Sequence, residues 1–195
     1  MAIFILTVFL TSTFSCIEDS FIQTDIGLPS ISSLNPDSGY IGSVVRIEGT
    51  NFTSDYVRDS IYFNGVPALI IDGSITHRTV QVPQGSTTGP VSVRIGGKQA
   101  VGSDFKVILP MITVVEPDSG IIGATVRIEG VNFNADFSAD TVYFNGVPAR
   151  IVDGSATHRS VIILPGATTG PVSLFTNGAS VNGPVFKVIL PVISA

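Results

Sequence analysis

The sequence predicts an all-β protein made of two tandem β-sandwiches of about seven strands each. Three observations carry that prediction. Turn formers are abundant, with 20 Gly and 12 Pro, and they separate runs of Val, Ile, Thr and Phe, residues that suit a pleated, half-buried surface. The chain also repeats itself at a constant offset of 81 residues without a gap, with about 45 of 77 aligned positions identical. Within each repeat, apolar and polar residues alternate with a period of two.

Composition bounds the rest. Of 195 residues, 44% are hydrophobic and 13% charged, and the mean hydropathy is +0.48. That is far from a disordered profile and requires a folded core. Ten basic residues stand against fifteen acidic ones, giving a net charge of -5. No basic footprint exists for phosphate neutralisation, so nucleic acid is excluded as a partner. One cysteine leaves no intramolecular disulfide.

The first element is a leader. Residues 2–10 (AIFILTVFL) match the length of a signal-peptide core, about 7 to 15 residues, and fall short of the roughly 20 needed to span a bilayer. The apolar character stops at Ser15-Cys16, followed by Ile17, Glu18 and Asp19. This junction resembles the lipobox of bacterial lipoproteins, although Thr13 stands where that motif most often has Leu and no Lys or Arg precedes Arg46. The resemblance implies cleavage before Cys16, a diacylglyceryl group on its sulfur, and membrane attachment through that lipid. Ile17 is then compatible with outer-membrane sorting, and Glu18-Asp19 resembles the acidic export signals of Bacteroidota surface lipoproteins. A free cysteine beside an ordinary signal-peptidase site is the alternative. Residues 1–15 are accordingly read as signal peptide and 16–28 as tether.

Strands follow. Val45 and Ile47 alternate with Arg46 and Glu48, and Val91, Val93 and Ile95 with Ser92 and Arg94, as one-faced strands require. Asn64-Gly65, set between Ile61-Tyr62-Phe63 and Val66-Pro67-Ala68, predicts a type I′ hairpin. Pro67 places the return run at a sheet edge. Asp72-Gly73, the stretch from Pro83 to Gly85, and Gly96-Gly97 are further turn signals. In the second repeat Leu164-Pro165 moves the proline one place later than in Val82-Pro83, so that turn is expected to differ.

These residues reach a family. Pro29-x-Ile31, Pro36-x-Ser38-Gly39, Gly42, Val45-x-Ile47-x-Gly49-x-Asn51-Phe52, Val66, Ala68, Val82-Pro83 and Phe105 resemble the IPT/TIG domain, which implies an immunoglobulin-like fold. The resemblance covers residues 29 to 190 twice over, giving one domain over 29–109 and a second over 110–190. Val107-Ile108-Leu109 runs directly into Pro110-Met111-Ile112 without a Gly/Ser linker, so the expected shape is a stiff rod. Residues 191–195 form a tail whose Pro191-Val192-Ile193-Ser194 sits where a third unit would open; a truncated gene or a closing last strand are both compatible with that spacing.

Chemistry is sparse. His77 and His158, the two histidines, stand near Asp72 and Ser74, and near Asp153 and Ser155; nearness in sequence does not make a triad, and turn chemistry accounts for those residues. No motif for catalysis, metal or cofactor is present, so the chain is read as a non-enzyme without cofactors. Asp55, Asp59, Asp136 and Asp140 miss calcium-loop spacing and are expected in a solvated acidic loop. For glycan binding, which IPT/TIG lipoproteins of bacterial surfaces imply, an aromatic platform is needed and the chain has no Trp. Tyr62 and Tyr143 are expected to be packed in the hairpin strand, leaving Tyr40 and Tyr56 as candidate platforms. The Asn51-Phe52-Thr53 sequon belongs to the fold pattern. Asp59-Ser60-Ile61 and Asp140-Thr141-Val142 resemble the D-[ST]-aliphatic O-glycosylation signal of Bacteroidota, making Ser60 and Thr141 candidate modification sites. The leading functional expectation is a lipid-anchored spacer or interaction and adhesion module of the envelope, facing the cell surface or the periplasm. Its alternative is a polysaccharide-binding accessory of a nutrient-uptake system.

Overall fold

A computed structural model describes residues 27–191; the leader, Cys16 and residues 192–195 lie outside the described residues. In the first unit β1 (Ser30–Asn35), β2 (Ser38–Gly39), β3 (Val44–Thr50), β4 (Ser60–Phe63), β5 (Val66–Ser74), β6 (His77–Gln81), β7 (Gly89–Ile95) and β8 (Lys98–Val107) form two faces. One face runs β1-β3-β6-β5 and the other β5-β4-β7-β8-β2. Strand β5 belongs to both: Val66 to Ala68 pair with β4, and Leu69 to Ser74 with β6. Pro67 lies in the first segment, at the outer edge of its sheet, where a residue without an N–H costs no ladder bond.

The second unit repeats the plan with β9 (Met111–Glu116), β10 (Ser119–Gly120), β11 (Thr125–Val131), β12 (Thr141–Phe144), β13 (Val147–Pro148), β14 (Arg150–Ser155), β15 (His158–Ile162), β16 (Gly170–Thr176) and β17 (Ala179–Val188). Its sheets are β9-β11-β15-β14 and β13-β12-β16-β17-β10. In both units the pairings are antiparallel except the short parallel contacts of β2 with β8 and of β10 with β17. Asn35-Pro36 and Glu116-Pro117 are cis.

Alternation fills the core. Val45, Ile47, Val91, Val93 and Ile95 are fully buried, and Phe63 meets Phe105 edge-on at 5.1 Å between ring centroids. Phe144 and Phe186 make the same contact at 4.9 Å. Gly49 is dictated by close approach: a Cβ there would lie 2.1 Å from the Ser30 carbonyl oxygen and 2.4 Å from Phe52 Cζ.

The hairpins match their sequence. Asn64 and Gly65 have φ of 44° and 85°, and Asn145 and Gly146 have 47° and 85°, the two positive values that a type I′ turn needs. Two expectations are corrected. The turn at Leu164-Pro165 does not differ from its counterpart: Ala167 N donates to Leu164 O at 3.2 Å, as Ser86 N does to Pro83 O. Gly85 and Gly166 supply the positive φ in each, so the glycine and not the proline sets this turn. Asp72-Gly73 is strand rather than turn; the chain reverses at Ile75 and Thr76. Gly73 is needed there because a Cβ would sit 2.7 Å from Cδ of Arg78.

The junction is short and fastened on both sides. Between the end of β8 and the start of β9, Ile108 N donates to Gly39 O at 2.8 Å in the first unit. Leu109 O accepts from Asn132 Nδ2 at 2.9 Å in the second. The Gly178 turn of the second unit lies against Ile41 of the first, 2.8 Å separating the Ile41 carbonyl oxygen from the point where a Cβ on Gly178 would stand.

Candidate functional site

On β6, His77, Thr79 and Gln81 point outward while Val80 points inward, and Arg78 is in phase with Val80. An arginine at a core position must find a charge partner or cost several kcal/mol. It finds Asp59: Arg78 Nε donates to Asp59 Oδ2 at 2.8 Å, and Nη2 donates to the same oxygen. The remaining N–H groups go to carbonyls, Nη2 to Thr53 at 2.7 Å and Nη1 to His77 at 2.7 Å and to Ser74. Phe52 lies under the guanidinium at 5.0 Å. The second unit builds the same node from Arg159, Asp140, Asn134 and Phe133. Asp59 and Asp140 are therefore buried ion-pair partners and not members of a solvated loop, because each neutralises an arginine that the strand's phase drives inward.

This node pins the loop ahead of β4. Thr53 Oγ1 donates to Asp59 Oδ1 at 2.8 Å, and a 3-10 turn, Tyr56–Arg58, closes just before Asp59. The pinned turn stands beside the edge of β5. Between them lies an open groove of about 250 Å³ lined by Tyr56, Val57, Asp59, Ala68, Leu69 and Ile70. Tyr56 thus reaches a concave site. Tyr40 does not share it: it follows β2, next to Ile41 at the junction, and its carbonyl accepts from Ser43 Oγ at 2.7 Å. Tyr62 and Tyr143 are half-buried on the outer face rather than packed in the core, because Ile61, Phe63, Val142 and Phe144 hold the inward phase; Arg94 stands 5.8 Å over the Tyr62 ring.

Ser60 and Thr141 are half-buried first residues of β4 and β12. The aspartate that precedes each is committed to its arginine. Asn51 has φ of 58° and donates from its side chain to Leu28 O at 2.8 Å, which gives the Asn-Phe pair a structural role.

The histidines meet the residues their sequence neighbourhood suggested. His158 Nδ1 lies 2.8 Å from Ser155 Oγ, and Nε2 lies 3.2 Å from Asp153 Oδ2. The bond from the imidazole holds the Asp153 carboxyl below its ordinary range. In the first unit Ser74 Oγ is 2.7 Å from His77 Nδ1, and Asp72 is 3.8 Å from Nε2. Each serine hydroxyl also accepts the amide of the threonine two residues on, at 3.2 Å, which ties it into the reversal of the hairpin. Sequence reading missed the arginine node; the signal was an arginine in phase with Val80 and repeated with its aspartate at the constant offset.

A family model for the IPT/TIG domain matches residues 29–106 and again 110–188. The chain belongs to the IPT/TIG family. Both sandwiches described above are therefore IPT/TIG domains of immunoglobulin-like type. Among solved structures, the plexin A4 extracellular region is similar at 18% identity, covering 83% of this chain and 18% of that one, with a TM-score of 0.45. A surface glycan-binding protein of Prevotella bryantii is similar at 16% identity, covering 81% and 42%, with a TM-score of 0.38. A third, from a complex xyloglucan utilization locus in Bacteroides uniformis, has 19% identity, 83% and 50% coverage and a TM-score of 0.35. The chain spans half or less of each of these proteins. No curated protein matches it significantly.

Proposed function

We propose that this IPT/TIG tandem is a non-catalytic envelope protein, tethered at the outer membrane by lipid on Cys16, whose two domains act as a spacer or as an interaction and adhesion module. The observation that carries the spacer is the junction: three residues, hydrogen-bonded to both units, leave little backbone free for hinge motion. The non-catalytic reading is supported by the serine hydroxyls beside His77 and His158, which are tied into their own hairpins. Anchoring is tested by Cys16→Ser: loss of the protein from the membrane fraction is expected, and unchanged fractionation overturns the lipid tether.

A second reading, a polysaccharide-binding accessory of a nutrient-uptake system, is favoured by one observation. Tyr56 lines a groove with apolar walls, the kind of surface on which a sugar ring stacks. Calorimetry of the purified protein against a polysaccharide panel decides between the readings, with saturable heat expected for the accessory and none for a spacer.

A further inference from the structure

We propose that the groove between the 3-10 turn Tyr56–Arg58 and β5 is a subsite for one neutral sugar ring of a polysaccharide, with the Tyr56 ring as stacking surface and Val57 and Leu69 as walls. The proposal rests on the polysaccharide-binding reading above and names its site.

The first argument is size and lining. A volume of about 250 Å³ lies just below the pockets of drug-sized ligands, which start near 300 Å³, and holds a single ring of a longer chain whose neighbours remain in solvent. Val57 is 77% exposed and Leu69 67%. These two large apolar side chains stand in water on facing elements, with Tyr56 beside them in the same groove.

The second argument comes from the duplicated unit. The Arg159–Asp140 pair pins the second 3-10 turn, Phe137–Ala139, as Arg78–Asp59 pins the first. The scaffold is therefore the same, and Phe137 stands where the first unit has Tyr56. Ser138 and Arg150 replace Val57 and Leu69. The fold thus permits a more polar lining at this element pair, and the first unit carries the apolar one. Nothing in the shared framework requires that difference.

The third argument is charge. Asp59 is consumed by Arg78. Asp55 and Arg58, at the two ends of the turn, are exposed and pair with each other at 3.0 Å. No net charge remains to recruit an ionic ligand. A neutral pyranose offers what such a site can take: an apolar C–H face toward Tyr56, Val57 and Leu69.

The test is calorimetry of the purified protein against xyloglucan, laminarin, galactomannan and polygalacturonate. It compares the wild type with Tyr56→Ala, with the double variant V57S/L69R, and with Tyr40→Ala as control. The double variant installs residues that the second unit already folds with, and circular dichroism verifies its structure. Binding to at least one neutral polymer, weakened roughly tenfold or more in both groove variants and unchanged in Tyr40→Ala, is the expected result. Neutral-polymer binding that survives V57S/L69R overturns the subsite and leaves the polysaccharide reading standing. Binding confined to polygalacturonate also overturns the subsite, and no binding to any polymer removes both.

Discussion

The most consequential single residue is Arg78, with its copy Arg159. Each is fully buried, and each is satisfied only because one aspartate, three carbonyls and one phenylalanine ring converge on it. Replacing Arg78 by Met leaves Asp59 buried without its counter-charge, so the first unit is expected to lose about 3–5 kcal/mol. Asp59→Leu added to Arg78→Met recovers part of that loss, and chemical denaturation of the three proteins measures both effects. The two nodes differ where Thr53 gives way to Asn134: Thr53 Oγ1 also accepts from Arg78 Nη2 at 3.4 Å, with no counterpart in the second unit. Asp59 Oδ1 accepts from Thr53 Oγ1, whereas Asp140 Oδ1 is buried without a partner because Asn134 replaces that threonine. Asn134→Thr supplies the hydroxyl while keeping the backbone carbonyl that accepts from Arg159. A gain of about 1 kcal/mol in the second unit is expected, read as a raised denaturation midpoint.

At the scale of elements, the repeated motifs divide into those that shape the chain and those that fasten it. Asn64 does both. Its positive φ makes the hairpin, and its amide donates to Thr87 Oγ1 at 2.8 Å, while Thr88 Oγ1 accepts from Val107 N at 3.1 Å. The repeated Thr-Thr-Gly is thus explained as a clamp between the hairpin and the last strand. Gly49 is the element-level weak point, because β1 and Phe52 both press on its Cα. Gly49→Ala forces one of them away, and a loss of about 3 kcal/mol is expected in the first unit's unfolding transition. The Asn-Gly hairpins, the alternation and the edge position of Pro67 were legible in the sequence, since each follows from a local backbone requirement, whereas the reversal at Ile75 and Thr76 was not. The equivalence of the two Pro-Gly turns was not either, because the proline shifts by one place while the positive φ of Gly85 and Gly166 sets the geometry.

For the whole molecule, the issue is how two units become one object. Asn132 crosses the junction to the Leu109 carbonyl, as Asn51 does to Leu28 at the start of the first unit. Asn132→Ala removes that tie, and a broader inter-unit distance distribution by double electron–electron resonance is expected, with the second unit's stability reduced by about 1 kcal/mol or less. An unchanged distribution assigns the restraint to the Ile41–Gly178 contact instead. The sequence by itself determined the all-β class, the duplication, the family and the positions of the Asn-Gly hairpins, because period, turn chemistry and glycine placement act over a few residues. Only the tertiary structure decided that Asp59 and Asp140 are buried charge partners, and that Tyr62 faces outward while Tyr56 reaches a groove. Those outcomes depend on which side chains meet across strands distant in sequence, and burial, charge pairing and concavity exist only once the sheets are packed.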